Sequence, residues 1–232
     1  MFVDIHTHID NQAVIRILDD NFEENVLTTW GIHPWDVIDF NLSQISQISQ
    51  KWATKGLSSL KRTDFTERKI CENPCNLCEI YAIGEVGLDK VHKETFEKQV
   101  EVFEEMIRFS ESYRKPMIVH CVRAYSEIIE IRKKTKATMP WVIHGFNSSV
   151  ETMRQLLRYD MYISLGEVLY RNENQAVKIL KNIPLDRLFL ETDVSGRNIK
   201  DVYEKAAVLM GCEIDFLCRQ IFKNYGRLEA AH

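Results

Sequence analysis

The sequence predicts one α/β domain over residues 1–232, a distorted TIM-type (β/α) barrel with its site at the C-terminal mouth. Short apolar runs alternate with amphipathic helical segments, a pattern typical of parallel strands joined by right-handed crossovers. The runs are almost continuously apolar, as in strands covered on both faces. Ionisable residues end or follow these runs along the whole chain, and only a closed barrel gathers so many strand ends at one mouth. They are His33, Glu85, His120, His144 and Asp193.

The first third of the chain predicts an irregular start to this barrel. Alternation in residues 2–10 places Asp4, His6 and His8 on one face of a strand. Residues 13–18 form a candidate second strand, followed by a turn, and residues 26–32 predict the next strand. The connection before residue 26 is too short for a full helix, so the barrel is predicted to be distorted, with as few as seven strands. Ser43 is a candidate helix cap, and residues 55–79 predict an irregular excursion.

The remainder follows a regular strand and helix order. Residues 80–89 predict a strand, and residues 94–113 an amphipathic helix with Phe96, Val100, Phe103 and Ile107 on one face. Ser148 and Ser149 are alternative caps for the helix after the strand that ends in His144. The other predicted strands are 116–120, 141–144, 162–165 and 188–193, with a helix at 124–136 and helices closing the chain.

The bulk properties exclude several classes of protein. A length of 232 residues suits one barrel or two smaller domains, and 45% hydrophobic residues supply ample material for a core. The net charge of -4 provides no global positive field for nucleic acid. No run of about 18 apolar residues predicts a membrane span, and the first residues lack the apolar core of an export signal. We therefore expect a cytoplasmic protein without a membrane partner, and no protein partner is inferred.

The six cysteines also favour a reducing cytosol over a disulfide framework. Cys71, Cys75 and Cys78 form a C-x3-C-x2-C cluster whose thiolates could hold zinc. Structural zinc usually takes four ligands, and no obvious fourth lies beside these three. A cysteine-containing loop is the favoured interpretation, with a zinc site as the alternative.

The ionisable residues point to a metal centre. One strand-end histidine alone is more often a hydrogen-bonded loop residue, and His-x-His alone fits a half-buried strand. Together, four imidazoles and two carboxylates exceed the needs of one catalytic zinc and suit two divalent ions, whether Zn, Mg, Mn, Co or Ni. Glu85 lies between Gly84 and Gly87, which makes it the natural bridging ligand, and Asp193 can take a proton from attacking water. The predicted ligands are His6, His8, Glu85, His120, His144 and Asp193.

The chain resembles the TatD-like metal-dependent hydrolases of the amidohydrolase superfamily. The matching stretches run from end to end: VDIHTH, GIHP, AIGEVGLD, PMIVHC, VIHGF, LETD and NYGRL. The resemblance implies deoxyribonuclease or related phosphodiesterase activity on DNA or a small phosphodiester. It also implies that His6, His8, Glu85 and Asp193 hold one ion, and that Glu85, His120 and His144 hold the second. His33 would be a substrate-side residue.

The substrate-facing positions depart from the family pattern. The family usually has an arginine two residues after the histidine matching His120, whereas Val122 stands there and Arg123 follows. Because arginine grips phosphate through a bidentate fork, the shift makes phosphate binding depend on where the loop aims Arg123. Lys90, Arg171 and Arg197 are further candidates for positive charge at the mouth. Hydrolysis of a small amide, lactone or phosphate ester is the alternative function, and a non-catalytic metal-binding barrel is a third.

Overall fold

The computed structural model describes residues 1–9, 12–18, 24–39 and 80–230. The strands are β1 Phe2–Ile9, β2 Gln12–Leu18, β3 Glu24–Trp30, β4 Ile80–Asp89, β5 Met117–Val122, β6 Trp141–Ile143, β7 Tyr162–Leu165 and β8 Leu188–Leu190. The α-helices are α1 Phe96–Tyr113, α2 Tyr125–Thr135, α3 Val150–Leu157, α4 Val168–Arg171, α5 Glu173–Leu180, α6 Ile199–Met210 and α7 Ile214–Glu229. Short 3₁₀ turns occur at Val37–Asp39, Lys93–Thr95 and Leu185–Arg187. The predicted α/β fold is confirmed.

The described residues contain eight strands, where the sequence allowed as few as seven. The segment after β1 is too short for a crossover helix, and it forms β2 instead. This strand runs antiparallel to β1, and Phe2 pairs with Leu18. An antiparallel pair needs only a tight turn, whereas a parallel pair needs a crossover of a dozen or more residues.

The chain divides into two compact units. The first comprises Met1–Leu27 and Pro140–His232. In it β6, β7 and β8 pair in parallel order, and a parallel bridge joins Thr7 of β1 to Asp193 beyond β8. Tyr203 of α6 is fully buried, and its hydroxyl donates to the Val3 carbonyl at 2.9 Å. This contact fixes α6 against β1.

The second unit comprises Thr28–Met139. Here β3, β4 and β5 form a parallel array, in which Trp30 pairs with Ile83 and Gly87 pairs with His120. The amphipathic face of α1 is buried through Phe103 and Met106. The predicted strands and helix of this unit are therefore confirmed.

Several local predictions can be checked against the described residues. The predicted helix over 94–113 is observed as a 3₁₀ turn followed by α1, and that over 124–136 as α2. Ser149 caps α3, since its hydroxyl accepts from the Thr152 amide at 3.1 Å. The Ser43 cap, the excursion over 55–79 and the cluster of Cys71, Cys75 and Cys78 lie outside the described residues. The prediction of one domain stays a prediction.

Among the helices of the described ranges, none combines the length and apolar character that crossing a bilayer requires.

Candidate metal centre

In the first unit, His6, His8 and Asp193 converge to form what we term the β1–β8 cluster. The Nε2 atoms of His6 and His8 each lie 3.5 Å from Asp193 Oδ1. One donor atom from each residue falls within 4.8 Å of the other two. The His6 side chain is fully buried, whereas His8 and Asp193 are 26% and 34% exposed, so water can reach the carboxylate.

The backbone of β1 positions Asp193 directly. The Asp193 amide donates to the His6 carbonyl at 3.0 Å, and Thr7 Oγ1 donates to the Asp193 carbonyl at 3.3 Å. Asp193 has a φ of +48°, in the left-handed region that non-glycine residues rarely occupy. Backbone strain of this kind persists where surrounding contacts over-determine it, and it concentrates at functional sites.

The buried carboxylate of Asp4 holds the chain segment that carries Asp193. Asp4 is fully buried and accepts from the Thr192 amide at 2.9 Å and the Thr192 hydroxyl at 2.7 Å. Arg16 Nη2 donates to the same carboxylate at 3.1 Å. Burial raises the pKa of Asp4, although the bonds from Thr192 and Arg16 oppose the rise. Asp4 thereby fixes the residue immediately before Asp193.

His144 follows β6 and lies beside His6 in the same unit. Their ring centroids are 4.3 Å apart, and His144 Nδ1 lies 3.9 Å from Glu191 Oε1. Glu191 also accepts from the Gly145 amide at 2.5 Å. Burial raises the pKa of Glu191 to about 8, with His6 opposing the rise. A separation of 3.9 Å is beyond hydrogen-bond distance, so the interaction between Glu191 and His144 is electrostatic.

In the second unit, His33, Glu85 and His120 form what we term the β3–β5 cluster. Glu85 Oε1 lies 2.7 Å from His120 Nδ1 and 3.3 Å from His33 Nε2. Asp89 Oδ2 lies 3.7 Å from the other ring nitrogen of His120. All three side chains of the cluster are mostly buried, with exposed fractions of 22%, 8% and 12% in sequence order.

Two glycines allow β4 to approach β5 closely enough for these contacts. A Cβ atom at Gly87 would lie 2.0 Å from the His120 carbonyl oxygen, and one at Gly84 would lie 2.7 Å from the Ile118 carbonyl oxygen. Gly87 also has a φ of +149°. Any side chain at either position would push the strands apart and separate Glu85 from His120. The close approach predicted for the glycines flanking Glu85 is confirmed.

The proton on His33 is placed by its neighbour. The Trp35 amide donates to His33 Nδ1 at 3.3 Å, so in the neutral ring the proton is assigned to Nε2. That proton faces Glu85 Oε1. A histidine that binds metal through Nε2 normally donates its Nδ1 proton to an acceptor, which is the opposite arrangement. His33 therefore presents to Glu85, at 3.3 Å, the ring nitrogen to which the proton is assigned.

The four cationic side chains predicted near the site differ in whether they form ion pairs. Arg123 is exposed and has a φ of +56°, and no hydrogen bond or ion pair engages its guanidinium among the described residues. Lys90 instead pairs with Glu127 at 2.5 Å. Arg171 and Arg197 both pair with Glu167, at 2.9 and 3.5 Å. Of these four cations, Arg123 alone keeps its charge uncommitted within the described ranges.

The donor chemistry fits divalent metal ions. Ligands about 2.1 Å from a tetrahedral zinc ion are about 3.4 Å from one another, close to the 3.5 Å separations in the β1–β8 cluster. Two imidazole nitrogens and one carboxylate oxygen are also the ligand set of catalytic zinc sites that keep one position open.

Sequence reasoning missed the groups that support these clusters. Asp89 and Glu191 occur inside motifs recognised from the sequence, yet no pattern assigned them a role. Trp35 directly follows the Gly-Ile-His-Pro stretch. No sequence pattern indicated its role, because its contact with Asp89 joins residues 54 positions apart. The prediction that the six predicted ligands hold metal, and that His33 and Arg123 face substrate, stays a prediction.

The comparisons with known proteins agree with a metal-dependent hydrolase. A family model described as "TatD related DNase" matches residues 1–229. The chain therefore belongs to the TatD-related DNase family, whose structurally known homologues share its fold. The solved structure of YJJV, a TatD homologue from Escherichia coli K12, matches with a TM-score of 0.70 at 19% identity. That match covers 87% of this chain and 76% of YJJV.

Two curated relatives carry functional names. The chain is 34% identical to the uncharacterized metal-dependent hydrolase YcfH of Escherichia coli (strain K12), over 64% of this chain and 62% of YcfH. It thus spans less than two thirds of that protein's length. It is also 34% identical to the human 3'-5' RNA nuclease TATDN2, over 48% of this chain and 16% of TATDN2.

Proposed function

We propose that this protein is a two-metal phosphodiesterase that hydrolyses the ends of DNA or another short nucleic acid. The observation that carries the proposal is the convergence of His6, His8 and Asp193, whose donor atoms lie within 4.8 Å of one another. Support for nucleic acid comes from the family, described as related to a DNase, and from the nuclease named among the relatives. A net charge of -4 favours a small or end-on substrate over a long duplex.

The proposed site residues fall into two groups: those that would bind the metal ions, and those that would act on the substrate or on the attacking water. His6, His8, Glu85, His120, His144 and Asp193 would hold the ions. Divalent ions, when bound, lower the pKa of water and polarise a phosphoryl oxygen. Asp193 Oδ1 lies between two imidazoles in a water-accessible position, from which it can take the proton of the attacking water.

Two side chains of the second unit would have roles other than binding metal. The uncommitted guanidinium of Arg123 can grip a non-bridging pair of phosphate oxygens. Its left-handed φ redirects the chain at the end of β5, three residues after His120. His33 Nε2 lies 3.3 Å from Glu85 Oε1, and from this position it would keep the carboxylate oriented.

The test is cleavage of single-stranded and double-stranded oligonucleotides by purified protein in Mg, Mn, Co or Zn, with and without chelator. We expect metal-dependent cleavage that chelator abolishes and that falls steeply with added salt. A parallel panel of aryl phosphate esters, lactones and amides examines the alternative substrates. Protein that carries metal and cleaves the small esters but no oligonucleotide would overturn the nucleic-acid proposal.

A further inference from the structure

Trp35 lies beside the β3–β5 cluster and keeps more than half of its surface in solvent. Its exposed fraction is 56%, although tryptophan is among the costliest side chains to leave in water. A single exposed apolar residue is ordinary in soluble proteins, so exposure by itself indicates nothing. What distinguishes Trp35 is that its ring is both exposed and fixed.

A buried carboxylate fixes the indole ring. Trp35 Nε1 donates to Asp89 Oδ2 at 2.7 Å, and Asp89 is only 2% exposed. The other oxygen of Asp89 accepts from the Val91 amide at 2.8 Å. Although burial opposes ionisation, these two bonds and the nearby His120 and His92 hold the pKa of Asp89 below its usual value. The polar edge of the indole is therefore satisfied from inside the protein.

The segment that carries Asp89 is itself held in place. Gln99 of α1 is fully buried, and its carbonyl oxygen accepts from the Asp89 amide at 2.7 Å. Its amide group donates to the carbonyls of Asp89 and His92 at 3.2 and 3.1 Å. Because these bonds already fix the indole ring of Trp35, a ligand that packs on the ring orders little more of the protein, which is the advantage of pre-organisation.

The ring also lies next to the residues of the β3–β5 cluster. Its centroid is 4.9 Å from that of His33 and 6.3 Å from that of His120. His92, a further aromatic ring, lies 5.2 Å away. A phosphodiester held at the β3–β5 cluster would therefore place an attached base within reach of the indole.

From this geometry we infer that Trp35 is a stacking platform for a nucleobase next to the scissile phosphodiester. The inference rests on the proposed function, which it refines by naming single-stranded nucleic acid ends as the substrate class. Every base has a π-face, so an aromatic platform accepts bases without sequence preference. It cannot accept a paired base inside a duplex stack.

The experiment compares a single-stranded hexanucleotide with a strand of the same length in which abasic tetrahydrofuran replaces every nucleoside. Wild-type protein is expected to cleave the base-containing strand with a kcat/KM about tenfold higher or more, as a base–aromatic stack implies. Trp35→Leu should lower cleavage of the base-containing strand and bring the ratio close to one, whereas Trp35→Phe should keep most of the preference. A purely structural role for Trp35 would reduce cleavage of both strands equally, which would overturn the inference. Phe216→Leu, which removes a 44% exposed aromatic residue from α7, is the matched control.

A binding measurement separates this inference from the proposed function. If wild-type protein cleaves neither strand in any metal, the proposed function fails. Titration of the four-tryptophan chain with the same strands, followed by intrinsic fluorescence, then decides the stacking question. Quenching by the base-containing strand that is absent with the abasic strand and lost in Trp35→Leu supports the platform. Equal quenching by both strands overturns it.

Discussion

The β1–β8 cluster and the β3–β5 cluster use the same chemical groups but are supported differently. In the first, the backbone amide of Asp193 is bonded to the strand that carries His6, and buried Asp4 fixes Thr192. In the second, support comes through side chains, since His120 contacts Glu85 and the exposed Trp35 contacts Asp89. The first cluster is held by backbone and buried hydrogen bonds, and the second lies beside the exposed ring of Trp35. Changes at the proposed ligands of either cluster should therefore affect metal, whereas changes at His33, Trp35 and Arg123 should mainly affect activity on substrate.

The largest expected effect is that of Asp193→Asn. An amide cannot take a proton, so kcat should fall by about 10²- to 10⁴-fold. The Asp193 backbone bond to His6 does not involve the side chain, so the fold should survive. Steady-state kinetics with circular dichroism checks both statements, and Asp201→Asn, at an exposed residue of α6, is the control. Normal turnover in Asp193→Asn would show that another group takes the proton.

A matched histidine pair tests whether the clusters differ as proposed. His8 and His33 have similar side-chain exposures of 26% and 22%. His8→Gln removes a proposed ligand and should lower metal affinity more than about 100-fold, whereas His33→Gln removes only a group that orients Glu85 and should lower metal affinity by no more than about 10- to 100-fold while losing activity. Metal content after dialysis against graded chelator measures the difference. Equal metal loss in both variants would make His33 a ligand and remove the distinction.

Asp4→Asn tests the buried support of the β1–β8 cluster. The new amide would turn donor hydrogens toward Thr192 or Arg16, so one buried bond is lost at a cost of about 1–3 kcal/mol in the free energy of unfolding. Thermal unfolding of metal-free protein measures this cost. Metal affinity should fall as well, because Thr192 directly precedes Asp193. Reduced stability with unchanged metal affinity would limit Asp4 to a structural role.

The smallest expected effect is that of Arg123→Gln. Loss of one charge-assisted phosphate contact should raise KM for oligonucleotide about tenfold with little change in kcat. Lysine at this position should restore only part of the affinity, since it lacks the bidentate fork. Arg108→Gln, at an exposed arginine that pairs with Glu105 on α1, is the control. If Arg123→Gln and the control behave alike, phosphate is gripped elsewhere.

The sequence predicted most elements of the fold because local patterns encode them. Apolar runs predicted the strands, helical spacing predicted α1 and α2, and the glycines around Glu85 predicted the approach of β4 to β5. The α/β class and the family also follow from the sequence, since six of the seven recognisable motifs lie in or directly after strands.

The tertiary structure decided what local patterns cannot contain. Whether a cation near the site is available depends on distant partners, so only coordinates show that Lys90 is paired with Glu127 whereas Arg123 is uncommitted among the described residues. The hydrogen bond from Trp35 to Asp89 joins residues 54 positions apart, and that from Thr192 to Asp4 joins residues 188 positions apart. Side-chain bonds across such separations arise only when the chain folds, because sequence periodicity reports which face a residue occupies and not which group meets it there.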